Sequence, residues 1–204
     1  SNNIIGGTIA NSMQLTATGV SSQVIGIHSA NAPAIWFTNT IRNLTNNIGT
    51  GTSTTASVIG MNMTSTTPTD TLSQNTIYSL GNTNVSVATT VCGIQFTGSA
   101  LGNLIERNFI HSFTNASTAG IMNGINVSGG TSTYRNNMIR LGIDGAGASI
   151  TNSVAINGIN ALLGTDNFYN NSVYVGGTGV VSGTVNSFAF NHQQTVNTRN
   201  FRNN

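Results

Sequence analysis

Apolar residues along this chain follow no helical period; they return at fixed places in a much longer cycle. An apolar or aromatic residue stands three before an Asn, and an aliphatic one usually stands two after it, as in Trp36-Phe37-Thr38-Asn39-Thr40-Ile41 and Leu72-Ser73-Gln74-Asn75-Thr76-Ile77. The pattern recurs in Ile105-Glu106-Arg107-Asn108-Phe109-Ile110, Tyr134-Arg135-Asn136-Asn137-Met138-Ile139 and Phe168-Tyr169-Asn170-Asn171-Ser172-Val173. Half-copies stand at Asn3-Ile4-Ile5 and Phe201-Arg202-Asn203-Asn204. The phase positions 3, 39, 75, 108, 137, 171 and 204 are 36, 36, 33, 29, 34 and 33 residues apart, which makes six repeats. A period of this size is the mark of a solenoid or array and overrides local readings.

Each repeat carries a second marker, a small residue before an apolar one: Gly26-Ile27, Gly60-Met61, Gly93-Ile94, Gly124-Ile125, Gly158-Ile159 and Ser187-Phe188. The stretch from Asn to marker varies in length and holds polar runs such as Gly49 to Thr55, so loops absorb the variation. Apolar positions separated by polar ones suit strands with one face inward and one in water. The pattern predicts six coils of about 33 residues with three short strands each, stacked about 4.8 Å apart in parallel sheets. Asn fits a bend, because it tolerates left-handed backbone and its amide can bond the coils on either side. Gly before the third strand fits a corner where Cβ is unwelcome.

Three inward columns follow: Trp36, Leu72, Ile105, Tyr134, Phe168 and Phe201; Ile5, Ile41, Ile77, Ile110, Ile139 and Val173; and Ile27, Met61, Ile94, Ile125, Ile159 and Phe188. The phase asparagines should form an amide ladder, and Asn123, Asn157 and Asn186 a shorter one continuing the column of Ile25, Ile59 and Cys92. Cys92 would then be buried and inert. Glu106 and Arg135, both two before a phase Asn on successive coils, should form a surface ion pair.

The alternation of Gly-Ile with Asn-x-Ile resembles the repeat of right-handed parallel β-helices of the pectate-lyase-like superfamily. The long Ser/Thr/Gly loops resemble Asn- and Thr-rich repeat regions of large secreted surface proteins of the Bacteroidota. The resemblance covers the whole chain, residues 1–204, as a single segment. It implies an all-β, right-handed β-solenoid; a left-handed helix or a sandwich of short strands is the alternative. It says little of function, since the superfamily holds polysaccharide lyases and hydrolases, tailspikes, adhesins and structural repeats.

Composition narrows the partners. Asn, Thr, Gly and Ser number 31, 30, 24 and 21, together just over half of the chain, whereas charged residues are 5% and Lys is absent. Ile, Val, Leu and Phe make up a quarter of the residues, enough to keep the chain out of the disordered regime. A net charge of +2 from ten charged groups gives no cationic patch, so nucleic acid is an unsuitable partner. No apolar run reaches the 18 or so residues of a membrane-spanning helix. A single cysteine allows neither an internal disulfide nor a multi-cysteine metal site.

Candidate chemistry is thin. Polysaccharide-cleaving solenoids need clustered carboxylates. Here Asp70 and Asp166 share a column but lie three coils apart, and Glu106 and Asp144 share none with them on a neighbouring coil, so all four read as isolated surface acids. His28, His111 and His192 occupy different phases and read as solvated, not as metal ligands. No cofactor is called for: the Gly-rich runs 142–147 and 176–179 open no helix that could cradle phosphate. Thr-x-Thr runs fall at different phases and give no flat ice-binding array.

One column stands out. Three residues after the phase Asn, pointing outward, the coils carry Arg42, Tyr78, His111, Arg140 and Tyr174. Flat and cationic side chains at neighbouring heights suit stacking and cation–π contact. They make either a self-stacking ladder or a ridge that stacks on sugar rings. The expectation is a non-enzymatic structural segment of an extracellular or cell-surface β-solenoid: a rod, adhesin stalk or fibre unit. Its partners would be further coils end to end, in a longer chain or a neighbouring copy. A carbohydrate-binding or polysaccharide-cleaving β-helix is the alternative.

Overall fold

A computed structural model describes residues 2–16, 22–31, 33–47, 57–179, 185–193 and 198–204; the polar run 49–55 lies outside them. The chain winds as a right-handed, all-β solenoid through three parallel sheets. The sheet after the phase Asn is built from Ile4–Ile5, Thr40–Asn46, Thr76–Asn82, Phe109–His111, Met138–Leu141 and Ser172–Val175, with Met13–Leu15 and Thr114–Asn115 continuing its first and fourth rungs. The marker sheet is built from Gln23–Ser29, Ser57–Met63, Thr90–Phe96, Ile121–Ser128, Ala155–Leu163 and Phe188–His192. The sheet before the Asn holds Ile35–Phe37, Thr71–Ser73, Leu101–Glu106, Thr131–Arg135, Asn167–Tyr169 and Asn200–Arg202. Six rungs per sheet, each paired with its own copy one coil on, make about five turns between like rungs.

The registers are those of the repeat. Leu72 faces Ile105, Ile105 faces Tyr134 and Tyr134 faces Phe168; Ile41, Ile77, Ile110 and Ile139 pair in turn, as do Met61, Ile94, Ile125 and Ile159. These residues are buried in one continuous core. Interior aromatics stack along it, with Tyr134 and Phe168 5.0 Å apart at 12°, and Phe168 and Phe201 5.2 Å apart at 6°. At the last rung the column opens, and Phe201 is 43% exposed.

The phase asparagines form an unbroken ladder from Asn3 to Asn204. The Oδ1 of each accepts both the backbone N–H and the Nδ2–H of the Asn one coil before, at 2.8–3.2 Å throughout. The second Nδ2 hydrogen of Asn75, Asn108, Asn137, Asn171 and Asn204 goes to the carbonyl of the preceding coil's first-column residue, as from Asn108 to Leu72 at 3.0 Å. The left-handed residue at the bend is not the Asn. It is the residue before it, with φ of 53° at Thr38, 57° at Gln74, 53° at Arg107, 54° at Asn136 and 53° at Asn170. The column therefore needs Asn for its amide, while the backbone strain falls on a neighbour of variable type.

The glycine corners are as the sequence implies. A Cβ at Gly60 would lie 2.6 Å from the Gly93 carbonyl oxygen and 2.6 Å from Ile77 Cγ2, so two sheets approach through this column. The last marker differs from expectation. Asn157 faces Phe188 and Ile159 faces Phe190, so Ala189-Phe190 takes the marker place and Asn186 lies outside the Asn123–Asn157 ladder. A slip of two residues keeps every side chain on its face, so alternation could not tell Ser187-Phe188 from the pair two residues on.

Candidate functional site

The outward column exists as one row. Arg42 faces Tyr78, Tyr78 faces His111, His111 faces Arg140 and Arg140 faces Tyr174 across successive rungs. Tyr78 and His111 are parallel, 5.1 Å between centroids at 0°, about one rung apart. Phe109, outward on the same strand, lies 4.3 Å from His111 at 29°. Arg42 Nη1 donates to the Tyr78 hydroxyl at 3.0 Å, and Arg140 Nη2 donates to Ser112 Oγ, which also contacts His111 Nδ1 at 2.7 Å. Rings stacked this way have their faces turned to one another along the axis and present edges to solvent. Within the row, Tyr78 and His111 stack on each other, while Arg42 and Arg140 are held by hydrogen bonds to Tyr78 and Ser112. Tyr174, 54% exposed, stands clear of these contacts.

His111 is half-buried rather than solvated. Burial, and then the positive charge of Arg140, hold its imidazole below the ordinary value, so it is neutral at physiological pH. His28 and His192 are exposed and distant in phase.

The acids depart most from expectation. Asp70 and Asp166 are buried, not on the surface. They belong to a second corner ladder five residues before the phase Asn: Ala34, Asp70, Asn103, Ser132, Asp166 and Arg199. Ala34 N–H donates to Asp70 Oδ1 at 2.8 Å, Asp70 N–H to Asn103 Oδ1 at 2.9 Å and Ser132 N–H to Asp166 Oδ1 at 3.0 Å. Desolvation raises the Asp70 carboxyl above its ordinary range against the Ala34 bond. Asp166 is pushed up to about 7, desolvation outweighing Arg199 at 3.9 Å and the Ser132 bond. Desolvation, reinforced by Asp166, also raises the buried Tyr134 phenol. Position had marked these acids as lone; only the inward direction of the column shows that they are ladder members.

Glu106 and Arg135 do pair, at 2.8 Å between Oε2 and Nε, but the carboxylate is largely covered and also accepts from Ser73 Oγ at 3.3 Å. Cys92 is buried, and desolvation pushes its thiol up to about 12. Among the described residues no three His, Cys, Asp or Glu side chains gather as a metal site. A further buried column, Asn46, Asn82 and Asn115, seven after the phase Asn, escaped the sequence reading although its spacing from Asn39, Asn75 and Asn108 is constant; in it Asn82 Nδ2 donates to Asn115 Oδ1 at 2.9 Å, while Asn46 donates to the Ser22 and Ser57 carbonyls. No protein-family model, curated protein or solved structure matches the chain.

Proposed function

We propose that this chain is a non-enzymatic structural segment of an extracellular or cell-surface β-solenoid, a rod or stalk that holds its shape and presents surface. The observation that carries this reading is the amide ladder from Asn3 to Asn204, in which every coil is tied to the next through neutral hydrogen bonds that are buried between Asn39 and Asn171. Such bonds depend little on salt, unlike exposed ion pairs. The two buried carboxylates act as ladder acceptors rather than as an acid–base pair, which suits a structural role. Kinship with right-handed β-helices of the pectate-lyase-like superfamily, and with Asn- and Thr-rich surface proteins of the Bacteroidota, is part of the same proposal. It rests on the Gly-Ile and Asn-x-Ile columns. The partner we propose is another coil of the same kind, since every rung of each sheet pairs with its own copy one coil on.

Two measurements test the proposal. Antibodies raised against the folded chain should label intact, unpermeabilised cells of the source organism, and labelling only after permeabilisation would overturn the surface assignment. Incubation with neutral and acidic polysaccharides should release no reducing ends or unsaturated products. Release abolished by Asp166→Asn or Glu106→Gln would replace the structural role with a catalytic one.

A further inference from the structure

A groove of about 200 Å³, lined mostly by residues with polar side chains, runs beside the outward row on the outer face of the sheet after the phase Asn. Its floor crosses three rungs through Thr45, Gly81 and Thr114, and its side carries Asn43, Ser79 and Ser112. The strand bends there, with φ of 55° at Asn43, 53° at Ser79 and 62° at Ser112, which turns this second row toward the groove. Two loops wall it, and they come from coils that are not neighbours. One is Gly6 to Ser12 of the first coil, with Asn11 Oδ1 accepting from the floor hydroxyl of Thr45. The other is a tight hairpin of the fifth coil, closed by Ile143 pairing with Ser149 and by Asp144 Oδ1 accepting from Ala146 and Ala148 N–H at 2.9 and 2.8 Å. The hairpin leans back over two rungs, so that a Cβ at Gly145 would lie 3.3 Å from Ser79 Oγ.

We propose that this groove is a binding site for one neutral sugar ring. The hydroxyls of Ser79 and Thr114 and the Oδ2 of Asp144 meet no hydrogen-bond partner among the described residues, and Asn43, whose Nδ2 donates to the Gly7 carbonyl, keeps Oδ1 for a ligand. Hydroxyls that donate and accept, an amide oxygen and one carboxylate oxygen, all on fixed rungs, match a ring of hydroxyl groups, each of which also donates and accepts. The lining offers no apolar anchor for a peptide side chain and no cation for a phosphate. A single carboxylate is a poor calcium site, which takes six to eight oxygens with several from acids. The volume falls below the roughly 300–1,000 Å³ of pockets for drug-sized ligands, so one ring fits and an extended chain does not. Gly81 keeps the floor open, since a Cβ there would press on Thr114 Oγ1 at 2.5 Å. Because the walls and floor are held before any ligand arrives, little ordering cost falls on binding.

The test is a titration of the ¹⁵N-labelled chain with methyl glycosides of glucose, galactose, mannose and N-acetylglucosamine, followed by amide chemical shifts. At least one should give saturable shifts centred on Asn43, Ser79, Gly81, Thr114 and the hairpin around Asp144. Thr114→Val keeps shape and removes a hydroxyl; Ser79→Gly removes the hydroxyl with its Cβ and tolerates the positive φ. Together they should weaken binding about tenfold, the worth of one to two hydrogen bonds, with the rest of the spectrum unchanged. Tyr174→Ala should leave affinity as it is. Absence of saturable shifts with all four glycosides overturns the proposal, as do shifts centred on Tyr174 or affinity unaltered in the double variant. Calcium chloride moving the same amides at lower concentration would assign the groove to a cation and overturn it too. None of these outcomes bears on the structural role, which needs no ligand.

Discussion

Two corners of the solenoid use one device with different chemistry. At the phase corner every rung carries Asn, and each amide accepts twice from the coil before and donates twice, to the next Asn and to a carbonyl. At the corner five residues earlier the rungs are Ala34, Asp70, Asn103, Ser132, Asp166 and Arg199, and at Asp70, Asn103 and Asp166 a side-chain oxygen accepts a backbone N–H from the coil before. A carboxylate can accept but cannot donate, so at Asp70 the second oxygen is left buried without a partner. A buried polar ladder is therefore self-sufficient when each rung can both give and take. Where it can only take, the missing donor shows as a raised pKa.

The largest break should come from placing the poorer chemistry at the better corner. Asn108→Asp removes the donors to Leu72 and Asn137 and buries a charge among acceptors, and is expected to cost about 4–5 kcal/mol at pH 7 in chemical denaturation. A loss under 1 kcal/mol would show that the ladder is decoration.

The reverse exchange should help. Asp166→Asn copies Asn103 of the same column and is expected to stabilise the protein above pH 7, by at most about 4 kcal/mol for a shift from 3.8 to about 7. The folded state holds this proton more tightly than the unfolded one, so stability should fall as pH rises from about 4 to about 7 and the variant should lose that slope. His111, held below its ordinary value, contributes the opposite slope and Asp70, held above its own, a slope of the same sign; both are present in both proteins and absent from their difference. A variant less stable than wild type at pH 8 would mean that Arg199 matters more than desolvation.

Cys92 tests whether a ladder can be lengthened. It faces Asn123, whose Oδ1 accepts from Asn157 Nδ2 at 2.9 Å, so Cys92→Asn should add a rung and change stability by about 1 kcal/mol or less. Native Cys92 should resist thiol reagents until unfolding, and rapid labelling would contradict its burial. The smallest effect belongs to the partly exposed pair: Arg135→Ala should cost about 0–1 kcal/mol, less at high salt.

The sequence by itself determined the period, the three apolar columns, the phase ladder and the neighbours of the Arg42 to Tyr174 row. These follow from a rule that is local in the repeat: a residue one period away is a lateral neighbour, so columns can be counted off the chain. Tertiary structure decided what depends on direction rather than on count. Asp70 and Asp166 stand in the column that the count assigned them, but the corner turns them inward, and burial changes them from surface acids to ladder acceptors. His111 and Tyr78 were placed side by side by register, yet the parallel orientation of their rings, with Phe109 against His111, is a matter of packing that the count does not give. The groove brings a loop of the first coil and a hairpin of the fifth to either side of three rungs, and no periodic rule relates them. Repetition writes nearest-neighbour contacts into the sequence, whereas contacts made by loops that break the repeat appear only when the chain is wound.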